Sequence, residues 1–135
     1  MTALAKDFLR VHKDFDTLSI PVKASTTIYK GSLVGVDATG YAVPMSDTSG
    51  LRMMGVATAG VDNSAGSSGD LNVKLDVQKV QKMACASATQ AWVGVNVYAV
   101  DDNTVALIAT TTNGILVGVV TKFISATQVE VYTGI

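Results

Sequence analysis

The chain has 135 residues, enough for one compact domain with a sizeable core and too few for a second independent one. Charged residues account for only 16% of it and the net charge is −1, so no basic surface is expected to hold a phosphate backbone and nucleic acid is not expected as a direct partner. No apolar run approaches the ~20 residues of a membrane helix and the N-terminus lacks a signal core, so we expect synthesis in the cytoplasm and no membrane partner.

The first 21 residues differ in texture from the rest of the chain. Seven of the 21 charged residues lie before Ala24. Apolar residues in this segment recur at spacings of four and three, which aligns them along one face of a helix. We call this set the arm stripe: Leu4, Phe8, Val11, Phe15 and Leu18. The pattern predicts an N-terminal arm over residues 1–21 whose spacing fits an amphipathic helix.

Residues 22–135 have the composition of a β-protein. The chain contains twenty Val, which favours strands, and ten Asp against a single Glu, and Asp favours turns. Short runs of Val, Ile, Leu and Thr are separated by Gly, Asp, Asn and Ser, as expected for many short strands. We predict a single β-rich domain over this range.

Two stretches of this domain repeat one another. LVGVDATGYAVPM is followed by VYAVDDNTVALIA, and each reads as strand, tight turn and strand. At an offset of 64 residues Asp37 falls opposite Asp101, and both are interpreted as turn residues. The match extends on both sides and predicts two copies, over about residues 22–77 and 80–135. Each copy ends in a strand with alternating apolar residues, LNVKLDV and TQVEVYT.

The fold class predicted from the repeat is all-β. Each copy would form a half-sheet with one apolar face, which the other copy would cover. We therefore expect a small β-sandwich or partly open β-barrel, built from two copies of a strand–turn–strand motif and preceded by the arm. No internal disulfide is expected to support it, because Cys85 is the only cysteine.

No set of residues indicates catalysis or a bound metal. His12, the only histidine, lies in the arm, away from the β-domain where a rigid catalytic site would be built. Asp101 and Asp102 read as turn residues with diverging side chains, and the Gly/Ser-rich segment 61–70 lacks the spacing of a phosphate or calcium loop. We expect no enzymatic activity, no cofactor and no metal; the alternative is an enzyme that uses Asp37 or these turn aspartates.

The remaining candidates are single residues and the arm stripe. Cys85 has no neighbouring histidine and reads as a small buried residue rather than a reactive thiolate. Trp92 and Tyr98 are expected to pack in the core or at a subunit interface, since the chain has few aromatic residues for a carbohydrate platform. The arm stripe is the candidate partner-binding set, docking either on its own β-domain or on a neighbouring subunit or other partner.

From about Val22 to Ile135 the chain resembles the capsid decoration, or cement, proteins of tailed bacteriophages. The arm lies outside the part that carries the resemblance, and the first copy lacks a glycine expected near Asp76. The resemblance rests on the order of six segments: KGSLVGVDATGYAVPM, MGVATAGV, GSSGDLNVKLDV, WVGVNVYAVDDNTVALI, LVGVVTKF and VEVYTGI.

The resemblance implies a structural protein of the virion that is not an enzyme and uses no cofactor. Such proteins bind the outer surface of the phage head and stabilise contacts between major capsid protein subunits, often as trimers. We therefore expect the major capsid protein as partner and a homotrimer, or another small homo-oligomer, as the assembly. The alternatives are another virion component, such as a tail or head-fibre base protein, and a module that binds glycans or a cell surface.

Overall fold

A computed structural model of the chain describes residues 5–7 and 17–133. Within these residues nearly all regular structure is β, which confirms the predicted fold class. The Val- and Thr-rich runs form the strands, because branched side chains pack well on a pleated surface. Two short 3₁₀ turns lie at Gln90–Trp92 and Ile108–Thr110. The strands are β1 (Thr17–Pro21), β2 (Thr26–Ile28), β3 (Leu33–Val36), β4 (Ala42–Pro44), β5 (Arg52–Ala57), β6 (Val61–Asn63), β7 (Asn72–Asp76), β8 (Val80–Ala84), β9 (Asn96–Ala99), β10 (Val105–Ala106), β11 (Leu116–Ser125) and β12 (Gln128–Tyr132).

Ten of these strands form two five-stranded antiparallel sheets with the same arrangement. The first sheet has the order β4–β3–β5–β7–β1 and the second has the order β10–β9–β11–β12–β8. Strand by strand, β1 corresponds to β8, β3 to β9, β4 to β10, β5 to β11 and β7 to β12. The two remaining strands, β2 and β6, pair with each other. We call residues 17–77 the first half and residues 80–133 the second half.

The correspondence extends to individual residue pairs. Val34 pairs with Gly55 in the first half, and Val97 pairs with Gly118 in the second, 63 positions later on both strands. A register shift of one residue follows directly after each of these pairs. The two sheets therefore share their bulge as well as their strand order.

This pairing corrects the alignment expected from the sequence. Matching the two turn aspartates gives an offset of 64, but the strands correspond at 63, so Asp37 is equivalent to Val100 and not to Asp101. The backbone N–H of Asp37 donates to the carbonyl of Tyr41, and that of Val100 donates to the carbonyl of Thr104 in the same way. Because strand side chains alternate between faces, a slip of one residue would exchange the buried and exposed sets.

Each five-stranded sheet curls until its two edges meet. Val22, directly after β1, forms a parallel bridge with Ala42 of β4. Ala84 of β8 forms a similar parallel bridge with Thr104, directly before β10, one residue earlier on each strand than the positions that correspond to Val22 and Ala42. Backbone hydrogen bonds accompany both bridges. Each half is therefore a small barrel whose edge strands are joined at one point.

The interior of each barrel belongs to a different apolar cluster. The expectation that each copy covers the apolar face of the other is wrong for these interiors, because a curled sheet encloses its own face. Corresponding positions fill both barrels: Ile20, Val22, Val34, Val36, Ala42, Ala57, Val73 and Leu75 in the first, and Met83, Cys85, Val97, Ala99, Val105, Val120, Val129 and Val131 in the second.

Strand β1 lies inside the segment predicted as the arm. All five of its residues pair antiparallel with β7. Ile20 is 9% exposed in the first barrel, and Leu18 is half-buried against the same cluster. The helical arrangement expected for the arm stripe is therefore wrong at Leu18, whose backbone is part of a sheet. The other members of the arm stripe lie outside the described residues: Leu4, Phe8, Val11 and Phe15.

The β2–β6 pair covers part of the first barrel, and β6 is the start of the Gly/Ser-rich segment 61–70. Ile28 of β2 is fully buried in the cluster of that barrel. Asn63 of β6 is 2% exposed, and its side-chain amide donates to the carbonyls of Lys23 and Ser67, both at 3.0 Å. These bonds satisfy a buried polar group and hold the Gly/Ser-rich segment against the barrel.

The two halves meet through the outer face of β3 and β5, a contact that we call the junction. Leu33 and Val56 lie on this face, are 2% and 7% exposed, and belong to the cluster of the second barrel. The N–H of Leu33 donates to the carbonyl of Asp102 at 2.7 Å. The junction thus joins an apolar face of the first half to the β9–β10 turn of the second.

Asp47 completes the junction from the loop after β4. Its carboxylate accepts hydrogen bonds from the backbone N–H groups of Thr112 and Asn113, at 2.7 and 2.8 Å. These bonds, that from Thr112 first, hold the pKa of the Asp47 carboxyl below its usual range. The ionised form of Asp47 therefore ties the first half to the second.

Candidate functional site

Asp101 and Asp102 do not form a pair of cooperating carboxylates. Asp101 Oδ1 accepts the backbone N–H groups of Asn103 and Thr104, both at 2.8 Å, as an aspartate in a tight turn does. Asp102 Oδ2 accepts the hydroxyl of Ser32 at 3.3 Å. The two side chains therefore serve different partners, and both have structural roles.

Asp37 lies in the β3–β4 turn and carries an ion pair. Its Oδ2 is 2.6 Å from Nζ of Lys23, and its Oδ1 accepts the backbone N–H of Thr39 at 2.9 Å. The hydrogen bond from Lys23 is the largest reason that the pKa of the Asp37 carboxyl lies far below its usual range. A carboxylate held so firmly in its ionised form is a poor general acid or base near neutral pH.

Cys85 and Trp92 are core residues of the second barrel. They are 7% and 8% exposed and belong to the same apolar cluster. Burial raises the pKa of the Cys85 thiol, which confirms its interpretation as a small buried residue rather than a reactive thiolate. The burial of Trp92 places it in the core, one of the two environments expected from the sequence.

The described residues contain no group of three or more His, Cys, Asp or Glu side chains placed to bind a metal ion. His12, the histidine considered as a catalytic residue, lies outside them. Over the same ranges, no helix combines the length and the apolar character that crossing a bilayer requires. Exposed apolar side chains within the described ranges provide candidate contact surfaces.

One apolar surface lies on the outer face of the second sheet. Tyr132 pairs with Val80 on one side and with Val119 on the other, and Leu116 pairs with Tyr98. Val80, Leu116 and Tyr132 are 52%, 51% and 40% exposed, and the other two are half-buried. We call these five residues the outer patch. Neighbouring exposed apolar side chains are typical of a surface that contacts another molecule.

The sequence contained the signal for the outer patch, although it was not predicted. In TQVEVYT the alternation was used to identify the buried face, which Val129 and Val131 form. The same alternation sends Tyr132 to the opposite face, where a large aromatic side chain is unusual for a solvated strand. The outer patch as a whole depends on the strand order, which brings Val80 beside Tyr132.

A second apolar surface is a groove of 460 Å³ beside the edge strand β10. Apolar walls include Val100, Val105 and Leu107, and the polar lining consists of the hydroxyl groups of Ser87, Thr104 and Thr110. Among the residues that the structure describes, no charged side chain lines the groove. This composition fits an apolar contact better than a site for a charged ligand.

The arm stripe is only partly visible in the structure. Leu18 packs against the first barrel as part of β1, so it contributes to the sheet rather than to a separate arm. The structure does not describe the four other stripe residues, and their role stays a prediction from the sequence.

The comparisons with known proteins agree with this picture. A search among curated proteins found no match. A family model described as phage cement protein matches residues 12–135. The matched range begins ahead of β1 and includes both five-stranded sheets, so it starts further upstream than the resemblance carried by the sequence segments. A match over nearly the whole chain shows that this protein belongs to the phage cement protein family.

Proposed function

We propose that this chain is a head decoration protein that binds the outer surface of the assembled phage capsid and stabilises contacts between major capsid protein subunits. The observation that carries the proposal is the family match over residues 12–135, since cement proteins are structural components of the capsid. The role is structural rather than enzymatic, and its site is the outside of the virion. The favoured assembly is a homotrimer, with other small oligomers as alternatives.

The architecture supports a role as a rigid connector. Each half has its own apolar interior, and the junction joins the halves through buried side chains and backbone hydrogen bonds. A body that is already ordered loses little conformational entropy when it binds. A protein that binds assembled capsid subunits but not separate ones stabilises the assembly by mass action.

The arm provides a proposed second contact. Leu4, Phe8, Val11 and Phe15 precede β1, whose pairing with β7 places the C-terminal end of the arm at an edge of the first sheet. Sixteen residues span roughly 50 Å when extended, which is enough to reach a neighbouring subunit. We propose that these apolar side chains dock on the capsid lattice or on an adjacent copy of the protein.

Co-sedimentation with phage heads that lack decoration protein tests the proposal. The purified chain is expected to bind such heads up to a fixed number of copies per head, and to leave unassembled major capsid protein in the supernatant. Equal binding to both forms would contradict a preference for the assembled lattice. No binding to either form would refute the decoration role.

Variants of the N-terminal arm test its contribution to head binding. Deleting residues 1–16 removes the four stripe residues but leaves β1 in place, and it is expected to lower head occupancy. Serine at the four stripe positions should have the same effect, because it removes apolar area without shortening the arm. The matched control replaces Lys6, Asp7, Lys13 and Asp14 with serine and is expected to bind like wild type. Unchanged occupancy of the stripe variant would remove the arm from the proposal.

A further inference from the structure

The two barrels correspond strand by strand, yet their outer faces differ in what covers them. In the first half this face is buried at the junction, where Leu33 and Val56 are 2% and 7% exposed. The corresponding residues of the second half are Asn96, which is exposed, and Val119, which is half-buried. The same face of the same structural unit is therefore covered in one half and open in the other.

The open face carries large apolar residues at positions that correspond to the junction. Met45 belongs with Leu33 and Val56 to the cluster of the second barrel and is 2% exposed, whereas its counterpart Ile108 is 59% exposed. Met53 packs against that cluster, whereas its counterpart Leu116, a member of the outer patch, is 51% exposed. A face meant only for solvent has no physical reason to carry these side chains, and such exposure is typical of a contact surface.

The turn of the second half that contacts the first half at the junction also has an exposed counterpart in the first half. Within the chain, the β9–β10 turn receives the first half: the carbonyl of Asp102 accepts the N–H of Leu33 at 2.7 Å, and the carbonyl of Val100 accepts the N–H of Asp47 at 3.2 Å. The corresponding turn of the first half joins β3 to β4, with Thr39 at the position of Asp102. Thr39 is exposed, so this turn is accessible to a second molecule.

We propose that the outer patch binds the β3–β4 turn of a second copy of this chain, so that the junction within one chain is repeated between chains. A second copy is the occupant because the junction already joins the equivalent face to the equivalent turn. The contact joins two different surfaces, and such head-to-tail contacts close into a ring when the rotation per step divides a full turn. The inference rests on the self-association included in the proposed function and assigns the surfaces that produce it, without requiring the capsid.

Solution mass tests this interface in the absence of capsid. The wild-type protein is expected to have the mass of two or more chains of 14.0 kDa. Leu116→Lys is expected to have the mass of a single chain. The lysine would remove apolar area from the contact and would have to be desolvated there, whereas its charge is solvated in the free chain. Ile124→Lys is the matched control, since Ile124 lies on the same strand, is 36% exposed and is outside the outer patch. Circular dichroism verifies that each variant is folded, and Ile108→Lys provides a second variant of the same face.

Mixing two variants tests the head-to-tail geometry. Thr39→Lys changes the turn but leaves the outer patch intact, and it is expected to be a single chain by itself. In a mixture, the intact outer patch of Thr39→Lys can bind the intact turn of Leu116→Lys, so a complex of two chains is expected. The other contact, between the outer patch of Leu116→Lys and the turn of Thr39→Lys, would bring two lysines together and is not expected to form. A contact between identical surfaces would not be restored by mixing.

Three results would overturn the inference. The first is a wild-type mass of one chain, and the second is a Leu116→Lys mass equal to that of wild type. The third is a mixture in which both variants remain single chains. If Leu116→Lys keeps the wild-type mass but no longer binds heads, the outer patch contacts the capsid instead; the inference then fails while the decoration role stands.

Discussion

At the residue scale, two equivalent glycines lie where corresponding strands approach each other closely. A Cβ at Gly118 would overlap the carbonyl oxygen of Tyr132, and a Cβ at Gly55 would lie 2.7 Å from the carbonyl oxygen of Asp76. These glycines occupy equivalent positions in β11 and β5, and each is followed by the same pairing with the next strand. The repeat therefore preserves a steric requirement as well as an apolar pattern.

This requirement predicts the effect of adding one methyl group. Gly118→Ala and Gly55→Ala are each expected to lower the free energy of unfolding by about 1–3 kcal/mol, because the backbone must shift to relieve the overlap. Gly60→Ala is the control, since its Cβ would lie 3.5 Å from the nearest atom. Urea unfolding measures all three variants. A stability of Gly118→Ala equal to that of Gly60→Ala would contradict the close approach.

Asp47 predicts a pH dependence of the junction. Its pKa is lowered in the folded chain by hydrogen bonds from Thr112 and Asn113, so its stabilising contribution is present above the unfolded pKa of about 3.9. That contribution is lost as the pH falls through the lower, folded pKa. Asp47→Asn is therefore expected to melt below wild type at pH 7, and the difference should shrink as the pH falls below about 4. A difference that stays constant between pH 7 and pH 2 would contradict this role.

Single residues were predictable where local chemistry decides their environment. Asp101 serves its own turn, and Cys85 is buried, as expected from their neighbours in the sequence. The alignment of the copies failed by one residue because two aspartates of similar turns were matched. The turns have equal length, but Asp37 holds the first position of one turn and Asp101 the second position of the other. The apolar alternation, which matches Val34 with Val97, was the better guide.

At the element scale, β1 shows where composition misleads. Its five residues follow a charged segment and end at Pro21, so they were assigned to the arm. The structural reason for the strand is its partner: β7 supplies the hydrogen bonds, and the first barrel supplies an apolar interior for Ile20. Neither is visible in a local window of sequence. The counterpart of Ile20 is Met83 in β8, and both are buried.

Strand β1 also gives a stability prediction. Ile20→Ala is expected to lower the free energy of unfolding by about 2–5 kcal/mol, because it leaves a cavity in the first barrel. Ser19→Ala, at the neighbouring exposed position, is the matched control and should change stability by less than about 0.5 kcal/mol. Thermal or denaturant unfolding distinguishes them. If β1 were part of a detached arm, both substitutions would be nearly neutral.

At the scale of the whole molecule, the sequence predicted a repeated all-β architecture but not what each copy covers. The expected exchange of apolar faces would bury both copies equally, whereas the structure has two separate interiors and one junction. At the junction, Leu33 and Val56 of the first half meet the turn that contains Asp102 of the second half, and these residues are far apart in the sequence. Such contacts follow from the curling of the sheets and cannot be obtained from periodicity alone.

We propose that this protein strengthens an assembled capsid. The most direct measurement is the temperature at which undecorated phage heads rupture, determined with increasing amounts of the purified chain and with head occupancy measured in the same samples. We predict that the rupture temperature rises with occupancy and levels off when the heads are saturated, because a protein that binds the assembled state in preference to its separate subunits stabilises that state by mass action. Saturated heads that rupture at the temperature of bare heads would contradict a stabilising role for this protein.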